Sequence, residues 1–368
     1  MPRSYISGSS FGRARDFLLL TAAVAVLCGI GFESIFHRLG ETLDYGRVLD
    51  LQAETGELFG QGYFNAELPY KMLGIRKARP RVLALGSSTI MQLRRADFPP
   101  GITFYNAALA ASVGGDLDGM LRMLESLSDA DKPKTIIIGL DPWLFNPDYP
   151  PNRNVRRRRS WVPLWVARFP PRMWWLSEEE RMRVRFGAYE TLIRDQRPWV
   201  GCLLSGSRRP GIGLEAKIKR CGFASDGSYI YPADPAASAS RELSAEEWAA
   251  RLAADRYRFA AGDQLDGLAG QKLARLLEAC RNRGIKAIGI LPPLRRDFLR
   301  SLEALPSHSV FFDRFRRWVP AVFEDGGGKC YDFSRPESLG LTGADFIDEN
   351  HASSRAWARI VQRMAREL

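Results

Sequence analysis

The sequence predicts an α/β fold: a parallel sheet of about five strands, covered by helices on both faces, behind one N-terminal transmembrane helix. Three observations carry this. Short uninterrupted apolar runs, such as Val82-Leu83-Ala84-Leu85, have the composition of strands buried on both faces. Segments with apolar residues at helical spacing alternate with these runs, the pattern of strand–helix–strand units. An uncharged run, Phe17 to Phe32, stands near the N-terminus behind Arg3, Arg13 and Arg15.

That run is shorter than the ~20 residues of a full span. Ile35 and Phe36 extend its apolar surface past Glu33. A signal peptide and a signal anchor both fit. No good cleavage triplet follows, which favours an uncleaved anchor. Arginines before the run keep the N-terminus in the cytoplasm and send the body to the exported, periplasmic side. Residues 1–37 are therefore expected to be a cytoplasmic tail and inner-membrane anchor. Residues 38–80 read as a mixed linker that ends in the basic stretch Lys71 to Arg81.

The main domain is expected over 81–368. Val82 to Leu85 predicts the first strand, and Phe104-Tyr105-Asn106-Ala107 the second. Leu117, Met120, Leu121 and Leu124 mark a helix over 113–127. Thr135 to Leu140 is the third strand. Ala269, Leu273, Leu276, Leu277 and Cys280 stripe a helix over 268–281. Ile285 to Pro293 is the fourth strand and Lys329 to Ser334 a short fifth. Residues 352–368 close the chain as a helix. In such sheets ligands bind at the carboxyl ends of the strands.

Residues 142–266 interrupt the alternation. They are rich in proline and tryptophan and hold Arg156 to Arg159. The segment reads as a large insertion that overhangs the strand ends, not as a second core. Its basic and aromatic character fits a solvated face, a contact with anionic lipid headgroups, or a glycan stacked on tryptophan. The whole chain carries a formal net charge of +11, which favours an anionic partner. Export argues against nucleic acid.

The chain has five cysteines and three histidines. Cys202, Cys221, Cys280 and Cys330 fall in the exported part, where disulfides persist. Cys202 with Cys221, or Cys280 with Cys330, are among the pairings open to them. No spacing resembles a zinc site, and no metal or cofactor is expected.

Two short segments carry chemistry. Gly86-Ser87-Ser88 places a serine just past a buried strand, where glycine permits a tight exit. A serine there meets free backbone N–H groups that stabilise developing negative charge. The same tripeptide also fits a plain turn and helix cap. Asp348-Glu349-Asn350-His351 lies just before the last helix. A nucleophilic serine needs a general base, and a histidine base needs an orienting carboxylate. Of the three histidines, only His351 follows an aspartate at this spacing.

The arrangement resembles the SGNH (GDSL-like) hydrolases, which have a flavodoxin-like α/β/α sandwich. The resemblance covers 81–141 and 285–368. It implies that Ser88 is the nucleophile, with Asp348 and His351 as its relay. The second block, Asn106 to Ala111, would offer the Ala111 N–H to an oxyanion, with Asn106 and Asp141 as further oxyanion or binding residues. The third reads Gly139-Leu140-Asp141-Pro142, with Asp141 where the family has asparagine. An ionised carboxylate there would oppose an oxyanion, so Asp141 must be protonated, turned away or structural. Ser87 also replaces the family's aspartate. The Gly-Ser-Ser form is similar to the anchored branch, which includes D-alanyl-lipoteichoic-acid transfer and alginate O-acetylation proteins. Tyr331-Asp332-Phe333-Ser334 is also similar to them. The implied activity is an exported serine acyl-esterase or O-acyltransferase acting on a cell-envelope polysaccharide. The implied partners are membrane lipid and an acyl donor, such as a multi-spanning O-acyltransferase. The competing expectation is a non-catalytic accessory or binding protein of a polysaccharide-modifying complex.

Overall fold

The computed structural model describes residues 16–21, 23, 34, 37–41, 43–61, 67–110, 116–149, 210–232, 243–255, 258–260 and 262–368. Strands β1 (Val82–Leu85), β2 (Phe104–Asn106) and β3 (Thr135–Gly139) come first. A separate antiparallel hairpin, β4 (Gly222–Phe223) and β5 (Tyr229–Ile230), follows. Then β6 (Lys286–Leu291) and β7 (Lys329–Asp332) complete a five-stranded sheet of order β2-β1-β3-β6-β7. Every pairing in that sheet is parallel.

The helices are α1 (Tyr45–Thr55), α2 (Glu67–Ala78), α3 (Leu117–Glu125), α4 (Leu214–Lys219), α5 (Ala245–Ala254), α6 (Gly267–Asn282), α7 (Arg296–Ala304), α8 (Pro306–Asp325) and α9 (Ser354–Met364). Alternate residues of each central strand face opposite sides. Leu83, Leu85, Ile136 and Ile138 join one apolar cluster with Met120 of α3, Leu273 and Leu276 of α6, and Phe315 and Val319 of α8. Val82, Ala84, Ile137 and Ile288 join the other, with Trp357, Ile360 and Val361 of α9. The sheet is therefore covered on both faces, as its unbroken apolar strands require.

Residues 45–55 and 67–78 correct the expected linker. Asp44 caps α1, its Oδ1 accepting from Gly46 N at 2.8 Å and from Arg47 N at 3.2 Å. The helix buries Tyr45, Val48 and Leu49, all in the second cluster. Near the N-terminus, residues 16–21 are helical, and Phe17 to Leu20 are each more than three-fifths exposed. Among the described residues no helix is long and apolar enough to cross a membrane. Most of the apolar run lies outside them.

The insertion enters the core at both its described ends. Trp143 and Phe145 are buried directly after β3, and Trp248 of α5 packs on Phe298 of α7. The hairpin docks on the early part of the chain through bridges from Phe59 to Ile212 and Phe223. Residues 150–209 lie outside the description, and with them the tryptophan- and arginine-rich stretch.

The disulfide pairings also need correction. Cys280 and Cys330 are free thiols, as is Cys221. Cys280 is spent on the buried stripe of α6, and the Cys330 sulfur fills the space above Gly289 in the neighbouring strand. Cys221 accepts a hydrogen bond from the Tyr229 hydroxyl at 3.6 Å, and Cys202 lies outside the described residues.

Candidate active site

β1 pairs with β2 on one side and β3 on the other, so the chain leaves β1 and β3 in opposite directions. In such sheets ligands bind at that switch point, beyond the carboxyl ends of the strands, and Ser88 and Asp141 follow the two strands there.

The turn after β1 is shaped by Gly86. A Cβ there would lie 2.9 Å from Ile90 Cδ1 and 3.3 Å from Gly139 Cα, so a side chain would press on Ile90 and the β3 backbone. Ser87 continues in extended conformation and caps a one-turn 3-10 helix, Ser88–Ile90, its Oγ accepting from Thr89 N at 3.2 Å. Ser88 is thereby held at the first position of that turn.

Three side chains converge as the spacing predicted. Ser88 Oγ lies 2.8 Å from His351 Nε2. His351 Nδ1 lies 2.7 Å and 2.8 Å from the two oxygens of Asp348. A carboxylate at Nδ1 keeps the proton there, so Nε2 presents a lone pair to the Ser88 hydroxyl. The loop is preset by its own backbone. Asp348 Oδ1 accepts from Asn350 N at 3.0 Å and His351 N at 2.9 Å. Ile347 N donates to His351 O at 2.8 Å, and Arg295 N ties Glu349 O at 2.9 Å. Burial opposes ionisation of Asp348. Hydrogen bonding and charge from His351, with the two backbone donors, outweigh it and hold its carboxyl below the usual range.

Asp141 is the opposite case. It is 1% exposed at the carboxyl end of β3. Thr89 Oγ1 donates to its Oδ1 at 2.8 Å, while its Oδ2 is buried without a hydrogen-bond partner. Burial pushes its carboxyl up to about 6, against the hydroxyls of Ser87 and Thr89 and the charges of Arg258 and His351. Of the three expected options, the bond to Thr89 fits a structural one: it ties Asp141 to the Ser88 turn.

Asn106 corrects its expected role. Its Nδ2 donates to the carbonyls of Ile90 and Leu93, each at 2.9 Å, and its Oδ1 accepts from Ala108 N at 2.9 Å. Those bonds occupy both amide hydrogens, so Asn106 braces the loop behind Ser88 and has no N–H left for an oxyanion. Ala111 lies outside the described residues.

Three site residues escaped the sequence reading. Thr89 links the Ser88 turn to Asp141. Tyr231 packs its ring 6.0 Å from the His351 ring. Arg258 lies 5.3 Å over the Trp143 ring, and its charge reaches both Asp141 and Tyr231. Only Thr89 had a local signal, its place beside Ser88. Tyr231 and Arg258 come from the insertion and reach the site through tertiary folding alone.

Chemically, this arrangement can take a proton from Ser88 as its oxygen attacks an electrophilic carbon. No protein-family model matches the sequence, and no characterised protein is significantly similar to it.

Proposed function

We propose that this chain is a serine acyl-ester enzyme of the SGNH type, an esterase or O-acyltransferase acting on a cell-envelope polysaccharide. The observation that carries this reading is the continuous Ser88–His351–Asp348 hydrogen-bond relay. Ser88 Oγ attacks the acyl carbonyl carbon while its proton passes to His351 Nε2. The Ser88 N–H, at the start of its turn, faces the developing oxyanion. The tetrahedral adduct collapses, and the donor's leaving oxygen takes the proton from His351. The acyl group is then an ester on Ser88. A polysaccharide hydroxyl, or water, attacks that ester and gives its proton to His351, and Ser88 leaves with that proton. Asp348 stays ionised and holds the imidazole in register.

The exposed apolar side chains of Phe17 to Leu20, continuous with the uncharged run to Phe32, support an N-terminal anchor. With arginines on its N-terminal side, the anchor sets the body on the exported face, beside lipid and a membrane-embedded acyl donor. Reporter fusions after residue 60 should be active only outside the cytoplasm; cytoplasmic activity alone contradicts this topology.

One observation favours a second reading. A carboxyl at 141, next to the nucleophile, opposes an oxyanion whenever it is ionised, which suits a non-catalytic accessory protein. Cells separate the two. The enzyme reading expects Ser88→Ala to abolish polysaccharide acylation at matched protein level, and the accessory reading expects normal acylation.

A further inference from the structure

A cavity of about 240 Å³ adjoins the relay, and the chemistry above leaves it unused. Five aromatic rings wall it: Phe59, Tyr70, Phe223, Tyr229 and Tyr231. On the sheet side it meets Met91 and Leu109, from the loops that leave β1 and β2. Two contacts join it to the relay. Tyr231 lines the cavity and packs on His351. Met91, in the turn that starts at Ser88, accepts a hydrogen bond from Tyr229 N at 2.9 Å. Leu109 sits at φ 69°, a left-handed conformation that leucine adopts only under tertiary constraint. Its N–H is pinned to Gly86 O at 3.0 Å, and its side chain forms part of the wall.

Gln61 and Glu215 also line it, and the Gln61 amide is already engaged, donating to Glu41 O at 2.7 Å and accepting from the Tyr45 hydroxyl at 3.4 Å. Among the described residues the one ion-pair partner of Glu215 is Lys219, at 3.3 Å and 62% exposed. An exposed pair of this kind neutralises little. The nearest buried cation, Lys71, stands behind the Phe223 ring and donates to the carbonyls of Asn106 and Gly227. The cavity surface is therefore aromatic with one negative group, although the whole chain carries +11.

We propose that this cavity seats one uncharged pyranose ring of the polysaccharide whose hydroxyl exchanges an acyl group with Ser88. The proposal rests on the Ser88 reading for its link to chemistry, but not for binding itself. A pyranose has C–H faces that pack on aromatic rings and hydroxyls at its edge that can donate to Glu215. A long acyl chain would take water from Glu215 and leave it only the exposed Lys219 as an ion-pair partner among the described residues, which is costly. A ring bearing carboxylate or phosphate would set like charge against Glu215 in a poorly screened site. The volume is below the ~300 Å³ at which drug-sized sites begin, which suits one ring and not a chain of them.

The test is saturation-transfer NMR on the full-length protein in detergent. The probes are the methyl pyranosides of glucose, galactose and mannose and the methyl glucuronoside. Expected is saturable binding of at least one neutral pyranoside, with the glucuronoside at least about tenfold weaker, since hydrogen bonds to a charged group are strong. Glu215→Gln should weaken the pyranoside and narrow that difference. Binding of the glucuronoside as tightly as the neutral sugars, or no pyranoside binding, overturns the proposal. So does a preference for p-nitrophenyl octanoate over the acetate that Glu215→Leu strengthens, because the cavity would then hold acyl chains. Hydrolysis of p-nitrophenyl acetate by the same preparations keeps the two readings apart. Ser88→Ala should lose hydrolysis and keep sugar binding. Binding without hydrolysis in the unaltered protein defeats the enzyme reading alone, and hydrolysis without binding defeats the cavity proposal alone.

Discussion

Two aspartates of one site, on the loop before α9 and at the end of β3, are pushed in opposite directions. Asp348 keeps about a third of its side chain exposed and accepts from two backbone N–H groups as well as His351. It is driven towards the charged form. Asp141 is sealed, accepts one hydroxyl, and has an oxygen without a partner. It is driven towards the neutral form. Burial opposes charge on both, so the number of donors decides the outcome. On the proposed chemistry, the relay uses an anion at 348 and is opposed by charge at 141, and the local folding of each segment pushes the two carboxyls apart in that sense.

The comparison can be broken most violently at Asp348. Asp348→Asn keeps the shape but removes the charge that fixes the imidazole tautomer. Turnover of an acetyl ester should fall on the order of 10⁴-fold. A loss below tenfold would mean that the loop backbone alone orients His351.

Asp141→Asn should act in the other direction. The amide donates where a carboxylate repels, so turnover should hold or rise. The ratio of variant to unaltered protein should climb with pH through about 6, as the native carboxyl loses its proton. A flat ratio would remove Asp141 from the field of the reacting charge. Stability follows the same sign. The folded carboxyl titrates at about 6 against 3.8 in its reference state, so the folded chain holds that proton more tightly. The native protein therefore loses stability as pH rises from about 4 through 6, by on the order of 1–3 kcal/mol. The variant should lack that loss in urea melts compared at pH 4 and pH 8. Asp348 should give the opposite slope, its stabilisation present at neutral pH and lost in acid.

Thr89→Val gives the smallest effect. It deletes the Thr89 hydroxyl bond to Asp141, costing about 1–2 kcal/mol at neutral pH. Asp141 should then titrate above its native midpoint, moving the pH dependence of stability upward. An unmoved midpoint would show that the Thr89 hydroxyl does not hold the Asp141 carboxyl down.

The sequence announced the relay because its parts are local. Asp348 and His351 are three residues apart on one loop, and Ser88 follows an unmistakably buried strand. The sheet was equally readable, since β1 and β3 are apolar throughout. What escaped depends on tertiary contact. α1 and α2 are short, and their buried residues gain meaning only against Phe59, Phe223 and β2. The stripe Phe311, Phe315, Val319 and Phe323 in α8 has helical spacing, but Pro320 inside the helix masks it. Asn106 was read as an oxyanion donor because its position, unlike its bonds to Ile90 and Leu93, is visible in sequence. The cavity joins residues 59–61, 91, 109 and 215–231, which no local pattern connects.

The central claim is that Ser88 accepts an acyl group. Mass spectrometry of the full-length protein, quenched in acid after brief exposure to p-nitrophenyl acetate, tests it directly. Expected is a single added acetyl that maps to the peptide containing Ser88 and is absent from both Ser88→Ala and His351→Ala. An acetyl that maps to another residue, or that persists in Ser88→Ala, contradicts it.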